Sequence, residues 1–495
     1  MAFIVERDGT LYDGDRWGLS RETVEKLAQR LMEFWERFQN CFRTKTHDTS
    51  KYGYCYLKGL LRMQEERNFS RVGREAGVSE QNMQHFMSES TWSAEAVIEQ
   101  IQNDIASTPE LRTGGVLLLD ESADEKAGDN SSGAARQYNG RLGKVDMSQV
   151  GTFLGYVNLD GGKAPLWTWV DGELYIPEKW FTPEMAEKRE RLGIPPDREF
   201  MTKIELGWKM IERLLNRDFP FEAVCCDGLY GRSGWLQAQL RSRNVIYMAD
   251  IPKNTLVYLE QPQIGIPERQ PGQRGPQPTQ PCVLAPSPVT VEHVGQLVDT
   301  QWDVHAVRTT ERGVLCDFFA MRRVWIVWEN EPVEHWLVIR RYSSDRSKSY
   351  SLCNADINTS PQRLAWLKCQ RFFVEQTFRE AKSEIGWDEL RAQKYRAWQH
   401  HLALCCLACW FIAQTKFDWA SQHHRDMHLT RELGSHCLPN LSIANVREML
   451  RAVMPLRQLS IDQAISSVTR HLVNRARSRA SRIRSQRRRL RTGYG

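Results

Sequence analysis

Two stretches of sequence decide the fold: Val116-Leu117-Leu118-Leu119-Asp120 and Ala223-Val224-Cys225-Cys226-Asp227. Each is a short apolar run that ends in an aspartate, and the turn Gly228-Leu229-Tyr230-Gly231 follows the second run. Such runs are typical of buried strands in an α/β sheet. Ligands in these folds bind outside the strand ends. The two carboxylates are therefore predicted to project from a sheet edge, where functional groups are usually placed.

The segments around these runs predict an RNase H-like α/β core. Three strands, a helix, a strand, a helix and a strand follow one another, which is the order of that fold. The predicted elements are strands at about 115–120, 150–158 and 166–174, a helix at 199–216, the strand ending at Asp227, a helix at 232–241 and a strand at 245–249.

Six segments are predicted along the 495 residues. Residues 252–288 are rich in Pro, Gly and Gln, a composition typical of a loop, and strand-like runs follow it. The segments are an N-terminal helical DNA-binding domain (1–107), the first part of the catalytic core (108–251), a Pro-rich loop and β-strand insertion (252–344), the second part of the core (345–395), a C-terminal helical region (396–469) and an Arg-rich tail (470–495).

A third acidic residue, Glu375, lies in a helical stretch between Arg371 and Lys382. At 100° per residue Arg371, Glu375, Phe378 and Lys382 share one face, whereas Glu380 lies opposite. A surface ladder of ion pairs is the alternative interpretation. With two strand-end aspartates also present, a site is favoured, because three carboxylates could hold two hard divalent cations through oxygen ligands.

Positive charge is concentrated at the C-terminus. The net charge is +6, and the ten arginines from Arg470 onward occur without an acidic residue. The rest of the chain has 57 basic residues against 61 acidic ones. A tail of this kind favours binding to a polyanion, and a solvated tail without a specific partner is the alternative. The predicted DNA contacts are Arg482, Arg484, Arg487, Arg488 and Arg489.

The segment 69–86 resembles a helix-turn-helix. Gly77 permits the turn, and Ser79 is placed to cap the second helix. Gln81 and Asn82 are predicted to face DNA. An ordinary helical hairpin is the alternative.

Membrane and zinc sites are both disfavoured. No apolar run reaches the roughly 18 residues that a membrane span needs, and the N-terminus lacks a signal-peptide pattern. A cytoplasmic location and no membrane partner are therefore expected. Cys405, Cys406 and Cys409 follow His400 and His401 closely, but they lie in a continuous apolar helix pattern, which favours core packing over zinc binding.

Several of these motifs carry a resemblance to a known family. The spacing Arg371-(three residues)-Glu375-(six residues)-Lys382 resembles the signature of DDE transposases of bacterial insertion sequences, and more narrowly of the IS-seven-hundred-and-one branch. The runs 136–150 and 227–231 are similar to the same group. Two departures are present: Lys368 stands where the family usually has Tyr, and Glu121 stands where it often has a second Asp.

The resemblance implies a transposase with an RNase H-like core and a β insertion. Asp120, Asp227 and Glu375 would be the catalytic, metal-binding triad, with two Mg²⁺ ions that Mn²⁺ could replace. Arg371 and Lys382 would contact DNA phosphates. The implied partners are double-stranded DNA, both the terminal inverted repeats and the target, and a second copy of the chain on that DNA. A location at the bacterial nucleoid follows.

Two further lysines are weaker candidates. Lys126 and Lys144 are predicted to contact the DNA backbone, and simple solvation is the alternative. Two other functions remain open: a catalytically inactive or domesticated DNA-binding protein derived from such an enzyme, and an RNase H-like nuclease without strand transfer. Intact Asp120, Asp227 and Glu375 argue against the first of these.

Overall fold

Five helices precede the sheet in the computed structural model, which describes residues 13–454 except 160–164, 268–277, 311–312, 423, 435–437 and 439–440. Leu27, Leu31, Phe34 and Phe38 recur at helical spacing and are buried along one face of the first helix. The helices are α1 Arg21–Phe38, α2 Ser50–Arg62, α3 Phe69–Glu75, α4 Glu80–Ser88 and α5 Ala94–Ser107.

The central sheet confirms the predicted RNase H-like fold. Its core has the spatial order β4-β3-β1-β5-β6. Strand β1 is antiparallel to β3 and parallel to β5, and β5 is parallel to β6. These strands are β1 Gly115–Glu125, β2 Ala135–Asn139, β3 Lys144–Asn158, β4 Leu166–Tyr175, β5 Ala223–Cys226 and β6 Ile246–Ile251, and the helices between them are α6 Ala186–Arg191, α7 Lys203–Leu215, α8 Gly228–Gly231 and α9 Gly234–Ser242.

The predicted β-rich insertion follows β6, and its long strands continue the core sheet. Strand β14 pairs antiparallel with β6, and β13, β12 and β11 follow outward in that order. The insertion contains β7 Leu256–Val257, β8 Gln263–Gly265, β9 Cys282–Ala285, β10 Val289–Thr290, α10 Val291–Val294, β11 Asp303–Thr310, β12 Gly313–Trp328, β13 Glu331–Arg341 and β14 Lys348–Cys353. The domain boundaries given above stay predictions.

Helices resume after the insertion and cover the sheet. Helix α12 continues directly into a π-helical turn, Ala381–Ile385. The helices are α11 Pro361–Gln370, α12 Phe372–Glu380, α13 Tyr395–Gln422, α14 His428–Glu432 and α15 Ile443–Val453, and short 3₁₀ turns occur at Asp15–Trp17, Gln39–Phe42, Pro109–Leu111, Glu178–Phe181, Pro183–Met185 and Trp387–Glu389.

Helix α13 lies in the core of the described chain. Cys405, Cys406 and Cys409 are buried there among apolar side chains, and the His400 ring stacks on Trp92 with centroids 3.8 Å apart. These residues pack the core, as the apolar helix pattern predicts. Within the described ranges, no helix combines the length and apolarity that crossing a bilayer requires.

Candidate metal centre

The two strand-end aspartates meet at one sheet edge. Leu119 of β1 pairs with Cys226 of β5 in a parallel register, so that the next residue of each chain segment is an aspartate. Asp120, Glu121 and Asp227 each place a carboxylate oxygen within 4.8 Å of the other two. The sequence predicted the convergence of Asp120 and Asp227, and the structure adds Glu121.

Local backbone geometry fixes the Asp227 side chain. It caps the short helix α8 by accepting from the backbone N–H groups of Leu229 (2.9 Å) and Tyr230 (3.4 Å). Helix α8 also comes very close to β6, because a Cβ at Gly231 would lie 2.0 Å from the carbonyl oxygen of Asp250. Glycine is therefore required at position 231 for Asp227 to sit at this edge.

Electrostatics at Asp120 suit a bound cation. Burial, and next the charge of Asp227, raise the pKa of Asp120 to about 8, although the Arg371 guanidinium opposes the shift. Converging carboxylates repel one another unless positive charge lies between them. Oxygen donors of this type are the ligands that Mg²⁺, Ca²⁺ and Mn²⁺ prefer. The residues present therefore fit a divalent cation.

Arg371 is a positive group that faces these acids. It stands between α11 and α12 and contacts Asp250 at 3.0 Å, Glu375 at 3.1 Å and Asp120 at 3.6 Å. Burial lowers the pKa of Arg371, but Asp250 and then Asp120 outweigh that effect and raise it overall. One guanidinium thus links three carboxylates.

Glu375 lies outside the carboxylate cluster. Its side chain is 61% exposed, and among the contacts of the described residues it is joined to Asp120 only through Arg371. The structure therefore brings Asp120 and Asp227 together and holds Glu375 on the far side of the guanidinium. A role for Glu375 as the third ligand stays a prediction.

Asp250 is a further acidic residue at this edge, and it was missed from the sequence. It lies near the end of β6, where Lys368 donates to its Oδ1 across 2.6 Å and Ser351 donates across 2.6 Å. The signal was available, since Asp250 directly follows the predicted strand 245–249. The strand-end rule applied to Asp120 and Asp227 would also have selected it.

The candidate lysines have different surroundings. Lys382 donates to the Ala123 carbonyl (3.4 Å), and burial lowers its pKa. Lys126 contacts Asp124 (2.5 Å) and is 12% exposed, whereas Lys144 is 63% exposed and pairs with Asp146 at 2.9 Å. Lys126 and Lys382 therefore hold the end of β1, and Lys144 faces solvent. Contact of any of the three with DNA stays a prediction.

The two helices of the predicted helix-turn-helix are present as α3 and α4. Gly77 has a φ of +68°, which the turn requires. Ser79 occupies the N-cap position, but its side chain accepts no capping hydrogen bond, so the predicted cap is wrong in that detail. Gln81 and Asn82 are exposed, and Asn82 donates to the Tyr52 hydroxyl (3.2 Å). DNA contact by these residues stays a prediction.

The remaining predicted DNA contacts belong to the Arg-rich tail. Arg482, Arg484, Arg487, Arg488 and Arg489 lie outside the described residues.

Comparisons with known proteins give three similarities. A family model described as DDE superfamily endonuclease matches residues 37–314, which include Asp120, Glu121 and Asp227. A protein named "Probable transposase for insertion sequence element IS701", from Microchaete diplosiphon, is 31% identical over 160 residues, or 32% of this chain and 36% of that protein. The similarity thus spans about a third of that relative. A cryo-EM structure of the piggyBac transposase synaptic complex with hairpin DNA aligns over 90% of this chain and 84% of its own, with 11% identity and a TM-score of 0.34.

Proposed function

The chain belongs to the DDE superfamily of endonucleases, and we propose that it is a DNA transposase of the IS701 branch. The family match confirms the resemblance inferred from the sequence motifs. In this proposal the protein binds the ends of an insertion sequence, cleaves them by metal-dependent phosphodiester hydrolysis and joins the 3′ ends to target DNA. The observation that carries it is the convergence of Asp120 and Asp227 at one sheet edge.

The acidic residues at this edge have distinct roles in the proposal. Asp120 and Asp227 hold two Mg²⁺ ions, for which Mn²⁺ can substitute, and Glu375 completes the set from helix α12. When bound, these ions supply the Lewis-acid chemistry of an in-line phosphoryl displacement. Asp227 is oriented by its bonds to the start of α8, and Asp120 by its bond from the Glu121 amide. The protein thereby fixes where the scissile phosphate must lie.

Arg371 changes partners during the proposed reaction. In the structure it neutralises Asp120 and Glu375. With these carboxylates engaged at the metal centre, the Arg371 guanidinium, still held by Asp250, would be available to contact a DNA phosphate. Lys382, next to the end of β1, is proposed to contact the same DNA strand as Arg371.

The DNA partners extend beyond the catalytic edge. Double-stranded terminal repeats are proposed to bind α4 through Gln81 and Asn82, and the Arg-rich tail is proposed to bind the phosphate backbone without sequence preference. Because two element ends must be paired, a homodimer is proposed to form on DNA. A cytoplasmic, nucleoid-associated location belongs to the same proposal.

Cleavage by matched variants tests this function. We expect Asp120→Asn, Asp227→Asn and Glu375→Gln to abolish Mg²⁺-dependent cleavage of a duplex carrying the terminal repeat, while binding to that duplex persists. Glu125→Gln is the control, since Glu125 also lies in β1 but is 47% exposed and pairs with Arg141. Cleavage that survives any one of the first three substitutions would remove that residue from the proposed site.

Strand transfer separates the proposed function from its alternatives. A transposase should yield products in which the 3′ ends are joined to a target plasmid. Cleavage without joined products would indicate a nuclease, and binding without cleavage by the unsubstituted protein would indicate an inactive derivative.

A further inference from the structure

Glu121 stands beside the predicted triad without a role in it. Its carboxylate lies in the same cluster as Asp120 and Asp227. Asp120 and Glu121 are successive strand residues and therefore start on opposite faces of the sheet. The longer Glu121 side chain nevertheless returns to the edge, so that the strand end presents carboxylates from both faces.

The two oxygens of Glu121 have unequal surroundings. Oε1 lies 3.0 Å from the ammonium group of Lys203 on α7, whereas Oε2 is buried and has no hydrogen-bond partner among the described residues. A buried carboxylate oxygen without a donor or cation is unfavourable. Lys203 therefore pairs with only one of the two oxygens of this group.

Two buried hydroxyls lie next to the unsatisfied oxygen. Thr152 is the cross-strand partner of Glu121 in β3, and Tyr230 belongs to the turn after Asp227. Both residues are fully buried, and their two hydroxyls approach each other without a hydrogen bond of full geometry. Burial, followed by the charge of the Glu121 carboxylate, raises the pKa of Tyr230 well above its ordinary value. Unsatisfied polar atoms grouped in this way mark a place for an ion or ordered water.

We propose that Glu121 is an additional carboxylate ligand of the divalent cation held by Asp120 and Asp227. This inference rests on the proposed function, because it concerns the same ion. Mg²⁺ keeps ligand oxygens about 2.1 Å away, so that opposite ligands are about 4.2 Å apart. The three carboxylate oxygens lie within 4.8 Å of one another, which is close to that spacing. The Thr152 and Tyr230 hydroxyls then line the inner side of the site.

Lys203 and Arg371 are the basic residues that pair with two of the proposed ligands. Lys203 neutralises Glu121 from the α7 side, and Arg371 neutralises Asp120 from the α12 side. A cation that binds all three carboxylates competes with both side chains. Removing the Lys203 charge should therefore strengthen cation binding.

Binding of Mn²⁺ alone to the full-length, DNA-free protein tests the assignment. The free Mn²⁺ signal in electron paramagnetic resonance gives the binding curve without any need for activity. We expect Glu121→Gln to weaken binding about tenfold or more, Lys203→Met to tighten it, and the matched control Glu125→Gln to bind like the wild type. Asp120→Asn serves as the control for the site itself, and circular dichroism verifies that each variant is folded.

The outcomes distinguish this assignment from the proposed function. If Asp120→Asn loses Mn²⁺ but Glu121→Gln binds like the wild type, Glu121 is not a ligand and the proposed function stands. If Asp120→Asn also binds like the wild type, the ion is elsewhere and both proposals fail. Lys203→Met is a second test that keeps the Glu121 side chain, and unchanged Mn²⁺ affinity in that variant would also overturn the assignment.

Discussion

Lys368 donates a hydrogen bond to Asp250 across 2.6 Å from a side chain that is only 3% exposed. Burial raises the pKa of Asp250, but Lys368 and then Arg371 outweigh burial and lower it overall. Asp250 is therefore an ionised anchor for both cationic side chains. Lys368 occupies the place where the family usually has Tyr, and it shares Asp250 with Arg371.

Removing the Lys368 charge should destabilise the protein. Lys368→Met leaves a largely buried Asp250 with fewer positive partners, and breaking a buried ion pair costs about 3 kcal/mol of unfolding free energy. Lys368→Tyr should be milder, because a phenolic hydroxyl can still donate to Asp250. Urea denaturation measures both variants. Equal stability of Lys368→Met and the wild type would show that the ion pair between Lys368 and Asp250 does not stabilise the fold.

Acid should destabilise the fold through buried imidazoles, among them those of His335, His400 and His401. His335 is hydrogen-bonded to Val333 and Tyr247, and His401 to Trp387 and Tyr56. Burial lowers the pKa of each to about 4.

The direction of the change in stability with pH follows from proton binding. The unfolded imidazole takes up a proton near pH 6.5 and the folded one near pH 4. Stability is therefore present above pH 6.5 and falls between pH 6.5 and 4, by roughly 1.4 kcal/mol per pH unit for each residue. Urea midpoints measured at intervals through this range should show the loss. His335→Gln should have a shallower slope, and an identical slope would exclude His335 as a contributor.

Gly231→Ala should disturb the site through the backbone. The new methyl group would meet the Asp250 carbonyl at 2.0 Å, so that α8 must move away from β6 and take Asp227 with it. We expect a loss of about 1–3 kcal/mol together with weaker Mn²⁺ binding. Gly128→Ala is the matched control, since a Cβ there meets nothing within 4 Å. If Gly231→Ala retains wild-type stability and Mn²⁺ affinity, the close approach does not position Asp227.

The Arg-rich tail and helix α4 should affect DNA binding differently. Deleting 470–495 should weaken binding to all sequences and flatten the dependence of affinity on salt, because fewer phosphates are neutralised. Gln81→Ala should instead reduce the preference for terminal-repeat DNA by about 1–3 kcal/mol and leave the salt dependence unchanged. Fluorescence anisotropy over a range of salt concentrations measures both. A salt slope unaffected by the deletion would show that the tail does not contact phosphate.

Local patterns in the sequence predicted the core of the fold. The apolar runs ending at Asp120 and Asp227 became adjacent parallel strands, because their burial on both faces is encoded in consecutive apolar residues. The insertion was predicted as β-rich. Its continuation of the core sheet, with β14 beside β6, depends on pairing between segments far apart in sequence, and no local pattern specifies that pairing.

The site was only partly predictable for the same reason. Helical periodicity placed Arg371 and Glu375 on one face, and they are in contact at 3.1 Å. Periodicity could not show that Arg371 also reaches Asp250 and Asp120, since this depends on how α12 packs over the sheet. Glu121 was overlooked because strand alternation directs it away from Asp120, whereas in the structure its carboxylate lies in the same cluster.

The most direct measurement of the central claim is anomalous diffraction from crystals of the full-length protein grown with Mn²⁺. We expect a strong anomalous peak between the carboxylates of Asp120 and Asp227, with Arg371 displaced from Asp120. Saturating Mn²⁺ with no peak at this edge, and Arg371 still in place, would contradict it.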